Sequence, residues 1–323
     1  MSNHESIPLT ASELGYLWTG YAINEMSEWF LAVFREQAQD KDVKEVYTYA
    51  IKVSNKIINT RSQLLSNDGY PIPVGFSDKD IDMNSPPLFS DRFLLHYLCI
   101  GARLGLEFHA RSLALATRLD VRQYHTECLQ SCIQLNDKIV DIMLKKGMDW
   151  RSPHLVAPKH PEKIQKISYL HGWIGDTRPQ NSFEMANLYH IIELLVLIET
   201  LCTAFTQTAD SEDVRDLLEK GCSIINHHNN ELTELLKKDD LPIPPSFVAE
   251  ITNSKDKIFS DRIMLCHLSG LFGSLLSQYG FAVGCVIKND MAKTYLTLIA
   301  NGGLFAEKMT RFLIEKEWLE KIP

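Results

Sequence analysis

The chain contains the same unusual segment twice. Residues 71–92 read PIPVGFSDKDIDMNSPPLFSDR and residues 242–262 read PIPPSFVAEITNSKDKIFSDR, so both begin with PIP and end with FSDR. Upstream of PIP, an offset of 171 residues (184 − 13) aligns Glu13 with Glu184 and Glu28 with Glu199 without a gap. From FSDR onward the offset is 170 (262 − 92). Repetition of this extent indicates a tandem duplication, so the fold has to be one that the chain can build twice.

Each copy shows the pattern of four helices. The first begins at a capping box, TASE at Thr10 in one copy and NSFE at Asn181 in the other, in which the cap and a glutamate satisfy each other's free amides. The later helix starts are predicted near Asp42 and Asp213, at the two FSDR motifs, and near Asp120 and Asp290. Alternating β-branched segments bounded by turns are absent, and we therefore predict an all-α fold.

The segment between the second and third helices sets the topology of each bundle. It spans residues 67–88 in the first copy and is rich in proline and glycine. Extended chain covers about 3.3 Å per residue, so this segment can cross a helix of about 30 Å and let helix three run parallel to helix two. That is the single long crossover of ferritin-like bundles. We predict two tandem ferritin-like four-helix bundles, at residues 1–150 and 181–323, joined by a linker at 151–180.

Several motifs also resemble those of a known family. They are PLTASELGYLWTGY (8–21), TRPQNSFEMANLYHI (177–191), the PIP and FSDR elements, and the terminal sequences MLKKGMDW and LIEKEWLEK. Together they resemble an uncharacterised family of tandem ferritin-like proteins from endospore-forming bacteria, which is similar at a distance to the spore coat protein F group. The resemblance covers nearly the whole chain and implies the fold more strongly than a function, because fold alone does not define function.

Composition narrows the class of protein. The 323 residues carry a net charge of −8 and no basic stripe, so we expect no nucleic-acid partner. The start of the chain is polar, and the most apolar run, at 191–202, is interrupted by two glutamates, so we expect no signal peptide and no transmembrane segment. Seven cysteines without a CxxC motif predict a reduced, cytoplasmic protein, with spore association added by the resemblance.

A ferritin-like bundle raises the question of a metal site. The usual Glu-x-x-His motifs are missing from both copies, which argues against a metal-dependent oxidoreductase of that type. One irregular set remains in the second copy, namely His190, Glu193, His228 and Glu231, which would suit zinc or iron if all four faced each other. The alternative, which we favour, is that His228 is a hydrogen-bonded core histidine and that no cofactor is bound.

Two glutamates fall on the apolar stripes of the first helices and need partners if they are buried. We expect Glu28 to pair with Arg92 and Glu199 to pair with Arg262, as structural ion pairs that hold each crossover against helix one. Arg61, on the stripe of helix two, is a candidate for a similar buried pair.

The leading hypothesis from the sequence is a non-enzymatic structural or interaction protein, sporulation or spore coat associated, with protein partners or self-association. The alternative is a protein that binds a metal or a small apolar ligand between helices of the second bundle. A metal-dependent oxidoreductase is the third hypothesis.

Overall fold

The computed structural model describes residues 7–148, 151–156, 158–172 and 178–323. Its long helices are α1 (Ala11–Gln37), α2 (Lys41–Asn67), α3 (Asp91–Leu115), α4 (Leu119–Lys145), α5 (Ser182–Thr208), α6 (Glu212–Lys237), α7 (Asp261–Cys285) and α8 (Asn289–Glu315). Across these ranges the extended segments form no strand, only an isolated antiparallel bridge between Ile81 and Phe259. The predicted all-α tandem fold is confirmed. The boundaries at residues 150 and 180 remain predictions, since the helices themselves end at Lys145 and resume at Ser182.

Both predicted capping boxes are present, and their glutamates do more than cap. The Thr10 hydroxyl accepts from the Glu13 amide while the Glu13 carboxylate accepts from the Thr10 amide. The second oxygen of Glu13 accepts from the amides of Thr117 and Arg118, at 2.8 Å each, in the turn before α4. Glu184 repeats this arrangement on the turn before α8. One carboxylate therefore joins the starts of two helices in each bundle.

We predict that Glu13 makes the protein acid-sensitive. Burial alone raises the pKa of Glu13, but the amides of Arg118, Thr10 and Thr117 outweigh it and lower the pKa from 4.5 to about 2. A carboxylate with a lowered pKa stabilises the fold above its unfolded value and loses that contribution as the pH falls from about 4.5 towards 2. Glu13→Gln is expected to lower the free energy of unfolding by about 1–3 kcal/mol at pH 7. The difference in unfolding free energy between the variant and the wild type should become smaller as the pH falls across that interval.

Urea unfolding of both proteins at several pH values measures this difference. Glu45→Gln, an exposed change of the same kind, is the control and should unfold like the wild type. A Glu13→Gln deficit that stays constant from pH 7 to pH 2 would contradict the prediction.

The crossover places α3 parallel to α2, as predicted. Asp91, the first residue of α3, accepts from the amides of Gln39 and Asp40 at the start of α2, at 2.9 and 2.8 Å. Asp261 does the same for Asp210 and Ser211 before α6. Because the starts of α2 and α3 lie at the same end of the bundle, the long segment between them has to cross the full bundle length.

The two bundles share the larger of two hydrophobic clusters, and the smaller one belongs to the first bundle alone. A single cluster of buried residues draws side chains from α1 to α8. Phe30 of α1 is fully buried, and its ring centroid lies 4.4 Å from that of Phe259 and 4.3 Å from that of His267 in the second copy. Tyr97 and His267, which are equivalent positions at an offset of 170, meet through a 3.1 Å hydrogen bond. The duplication therefore produces a single pseudo-symmetric body.

The two crossovers bind each other's bundles. The Asp82 amide donates to the Ile258 carbonyl at 2.8 Å, and the equivalent Thr252 amide donates to the Leu88 carbonyl at 3.0 Å. Both hydrogen bonds join one crossover to the residues just before the third helix of the other copy. Their repetition at equivalent positions defines a local two-fold relationship between the copies.

The serines of the repeated FSDR motifs complete this exchange. The Ser90 hydroxyl donates to Glu250, and the Ser260 hydroxyl donates to Asp80 at 2.6 Å. Asp80 and Glu250 are equivalent residues in short 3-10 helices of the two crossovers. The serine of each FSDR motif therefore has two roles, which explain why the motif is present in both copies. It caps its own helix and donates a hydrogen bond to a carboxylate of the other copy.

Helix α5 occupies the centre of the molecule. Of the described helices it is long and apolar enough to cross a membrane by length and composition, but 83% of its apolar window is buried inside the protein. Its contacts with α6, α7 and α3 account for that burial.

Candidate functional site

The structure does not bring the expected ion-pair partners together. Arg92 lies 2.9 Å from Glu250, and Arg262 lies 3.8 Å from Asp80 and donates to the Gly75 carbonyl. The start of α3 is level with Gln39, eleven positions beyond Glu28 (39 − 28). At 1.5 Å per residue that separation is roughly 16 Å, well beyond an ion pair. The second copy repeats this mismatch for Glu199 and Arg262.

Glu28 and Glu199 instead face neutral amides. The Asn229 side chain donates to Glu199 at 3.3 Å, and Asn55 donates to Glu28. Burial raises the pKa of both carboxyls, and the amide hydrogen bonds oppose that rise without cancelling it. The two glutamates are thus equivalent half-buried residues that do not contact the arginines.

A double-mutant cycle tests which carboxylate meets Arg92. We expect Arg92→Ala and Glu250→Ala to be non-additive by about 0.5–1 kcal/mol, a modest coupling because the Arg92 side chain is 40% exposed. The matched cycle of Arg92→Ala with Glu28→Ala should be additive. Urea unfolding of the variants measures both cycles, and strong coupling of Arg92 to Glu28 would contradict the structure.

The four candidate metal ligands do not converge. His228 is fully buried and bonds Tyr279 at 3.0 Å and Asn301 at 2.9 Å, so it is the hydrogen-bonded core histidine of the favoured alternative. Glu193 pairs with Arg103 at 3.0 Å. His190 lies 3.6 Å from Glu107 of α3, and Glu231 is exposed. Within the described residues no group of three or more His, Cys, Asp or Glu side chains could hold a metal ion.

The most distinctive feature of the interior is a hollow in the first bundle. This first-bundle cavity has a volume of about 240 Å³ and is bounded mainly by α1, α2 and α3, with Cys132 and Leu135 of α4, Leu197 of α5 and a short stretch of α7. Its wall is largely apolar and contains many small residues, among them Ser27, Ser54 and Gly105. The described wall includes no Asp, Glu or Lys side chain. Such a lining suits a small apolar molecule.

The duplication explains why this bundle is hollow. Lining residues that are small or polar in the first copy align with large apolar residues in the second, at Gly20 and Ile191, Asn24 and Leu195, Ser27 and Ile198, Ser54 and Ile225, Gly101 and Leu271, Ala102 and Phe272, and Gly105 and Leu275. All seven large residues are buried. At two positions the second copy has the smaller residue, Gly221 and Gly302. There the side chains of Phe305 and His228 approach the glycines closely. The same helical frame therefore carries large apolar side chains in one copy and small ones in the other.

A buried polar group adjoins the first-bundle cavity. Arg61 of α2 is fully buried, and its guanidinium packs against Gly20, where a Cβ would come within 2.5 Å of it. Arg61 Nη1 donates to Asn24 Oδ1 at 3.3 Å. His109 and His125 lie close by, with their Nδ1 atoms 3.2 Å apart. Gly20, Asn24 and His109 all line the cavity.

The two histidines of this group are neutral near pH 7. Burial lowers the pKa of His109 to about 3 and that of His125 to about 4, and the charge of Arg61 adds to both shifts.

The expected ion pair of Arg61 is also missing, since no described carboxylate pairs with it. The guanidinium is therefore a buried charge beside an apolar cavity.

The sequence interpretation missed this site, although the signal was present. Alignment of the two copies reveals the fold, but only the side-chain volumes at equivalent core positions reveal the hollow. In the alignment of the two copies, Arg61 corresponds to Leu232 and Ser54 corresponds to Ile225. All four residues occupy buried positions of α2 and α6.

Fold and interior together define a tandem, all-helical protein with one hollow bundle. The chain matches the family model described as "Protein of unknown function (DUF3231)" twice, at residues 1–160 and 168–323, and it belongs to that family. A solved structure from Bacillus halodurans C-125, titled a putative spore coat protein, is similar at 20% identity with a TM-score of 0.42. The match covers 50% of this chain and 100% of that one. Comparison with curated proteins gives no match.

Proposed function

We propose that the protein is a non-enzymatic binding protein that holds a small apolar ligand in the first-bundle cavity. The observation that carries this proposal is the cavity itself, formed where the equivalent positions of the second copy are occupied by large buried side chains. The sequence suggested an apolar ligand in the second bundle as an alternative. The geometry favours the first bundle instead.

Unfilled apolar space between the helices supports a role in binding. The atoms that line it lack the contacts that a packed core would supply. A ligand that fills the space supplies part of those contacts.

The cavity is accessible from the surface. Its wall includes Gly101 of α3 and Gly270 of α7, which are both exposed, and a Cβ added at either glycine would meet open space. Ile23 of α1, which also lines it, is 42% exposed. These residues mark an opening between α1, α3 and α7 through which a small ligand can enter.

Filling the cavity should weaken ligand binding. Ser54 is buried, its hydroxyl has no hydrogen-bond partner among the described residues, and its equivalent in the second copy is Ile225. We expect Ser54→Ile to reduce the affinity for 1-octanol at least about tenfold and to raise the stability of the ligand-free protein, because it fills space and removes an unsatisfied hydroxyl. Titration calorimetry with 1-octanol measures the first effect and urea unfolding the second.

The control is Ser66→Ile, the same change at an exposed position in the last turn of α2, which should bind 1-octanol like the wild type. If the wild type binds no 1-octanol, the binding proposal fails, and a purely structural or interaction protein, as first expected from the sequence, becomes the better interpretation. The sporulation association remains a prediction, and labelling the protein in sporulating cells tests it.

A further inference from the structure

We propose that Cys222 is a site of reversible oxidation by peroxides, and that Cys202 completes the reaction by forming a disulfide with it. The two cysteines lie on neighbouring helices of the second bundle, Cys202 on α5 and Cys222 on α6. This site belongs to the other bundle from the first-bundle cavity, so it does not depend on ligand binding there.

The two thiols are in direct contact. They hydrogen-bond each other, and the Cys202 sulfur also accepts from the backbone amide of Cys222. The same sulfur lies 3.2 Å from the Leu218 carbonyl oxygen and would lie 3.4 Å from a Cβ at Gly221. These contacts hold the Cys202 sulfur against the turn of α6 that carries Cys222. Bonded sulfurs lie about 2.0 Å apart, and thiols already in contact are the ones that can reach this distance.

The two cysteines differ in their exposure to solvent. Cys202 is 1% exposed, whereas Cys222 is half-buried and lines a shallow depression between α5 and α6. Polar side chains surround Cys222 there, among them Thr203, Thr206 and Ser223. A peroxide that arrives from water therefore meets Cys222 first, and Cys202 is left to react with the product formed on Cys222.

The surroundings of Cys222 favour its thiolate, which is the form that reacts with peroxides. The hydrogen bond with the Cys202 thiol lowers the pKa of Cys222 and outweighs the opposing effect of burial, and two threonine hydroxyls of α5 lower the pKa further. In the first bundle, burial raises the pKa of Cys128 to about 11 and that of Cys132 to about 12. Cys222 is therefore expected to react faster than either of these cysteines.

The first copy shows that the fold does not require this pair of cysteines. At the offset of 171 residues, Cys202 aligns with Leu31 and Cys222 aligns with Ile51. Leu31 is buried, and Ile51 is half-buried and packs against the same hydrophobic cluster. Because the equivalent positions accept ordinary apolar side chains, packing alone does not call for two contacting thiols.

A peroxide is the oxidant, and the reaction has two steps. The Cys222 thiolate attacks one oxygen of hydrogen peroxide, the O–O bond breaks, and the products are a sulfenic acid on Cys222 and hydroxide. The Cys202 sulfur then attacks the Cys222 sulfur, the S–O bond breaks, and the oxygen leaves as water with the Cys202 proton. The two sulfurs together lose two electrons, which the peroxide gains. A dithiol reductant reverses the disulfide by thiol–disulfide exchange.

Peptide mapping of the full chain tests this reaction. Reduced protein, freed of reductant, is treated with hydrogen peroxide, quenched with acid, alkylated in denaturant and mapped by mass spectrometry. We expect a disulfide between Cys202 and Cys222, with Cys222 oxidised at least about tenfold faster than Cys128 or Cys132. Dithiothreitol should restore both thiols. In Cys202→Ala a sulfenic acid should persist on Cys222, where dimedone traps it.

Two further variants provide the contrast. Cys222→Ser should leave Cys202 as a free thiol under the same peroxide treatment. Cys285→Ser changes another half-buried cysteine of the second bundle and should form the disulfide like the wild type. If peroxide leaves Cys202 and Cys222 reduced, or bridges other cysteines at least as fast, the proposal is overturned. If Cys202→Ala does not fold, the wild-type map and Cys222→Ser still decide the question.

Discussion

Residues 1–150 produced without the second half are expected to fail as a folded monomer. In the whole chain Phe30 and Leu94 are completely buried and Tyr97 nearly so, and Phe30 packs against aromatic residues of the second copy. Separation would expose this face and remove the carboxylate that Glu250 supplies to Ser90 and Arg92. Interfaces that resemble a divided core are obligate, and their halves have no stable folded state alone. Sedimentation should therefore show self-associated or aggregated material.

A nicked full-length chain is the matched control. Residues 158–166 of the linker are exposed and lie outside the helices, so a protease site placed there should be cut without disturbing the core. We expect the two fragments to stay associated and to unfold together near the wild-type midpoint. A monodisperse, folded monomer of residues 1–150 with a wild-type midpoint would contradict the shared core.

Arg61→Leu is expected to stabilise the ligand-free protein by about 1–4 kcal/mol. Replacing buried charged groups with apolar residues often has this effect, because the cost of desolvating the charge disappears. Leu232 shows that the same place in the second copy accepts leucine. Urea unfolding of protein refolded from denaturant, and so free of any ligand carried through purification, measures the change.

Arg103→Leu provides the contrast. Arg103 pairs with Glu193, whose side chain is 9% exposed, so its removal leaves a nearly buried carboxylate without its partner. We expect that variant to be destabilised. If Arg61→Leu were destabilised to a similar degree, Arg61 would have to be satisfied within the protein, which would contradict its description as an unpaired buried charge.

Local signals in the sequence predicted the helices well. Capping boxes at Thr10 and Asn181 and the caps at Ser90 and Ser260 involve residues within a few positions of each other, so the pattern alone identifies them. The crossover followed from chain length and proline content. These features depend on short-range geometry, which the sequence displays directly.

Contacts between the copies were harder to predict. Arg92 binds Glu250, 158 residues away, because the crossovers reach across to the opposite bundle. When each bundle is considered alone, Glu28 of helix one is the carboxylate expected to pair with Arg92. The retention of FSDR in both copies was a correct indication of a shared constraint, but the partner depends on how the bundles pack.

The cavity was missed for a different reason. A core is recognised in the sequence by where apolar residues recur, and Ser54, Gly101 and Gly105 do not interrupt that pattern enough to be noticed. Their significance lies in missing volume, which becomes apparent only when each position is compared with its filled equivalent in the second copy.

A crystal structure of the full chain under xenon pressure tests the hollow bundle most directly, because xenon binds in apolar cavities. We predict xenon in the first-bundle cavity, between Ser54 and Gly105, and none at the equivalent place in the second bundle, where Ile225 and Leu275 are buried. Xenon in neither bundle, or equally in both, would contradict the assignment of a ligand site to the first bundle.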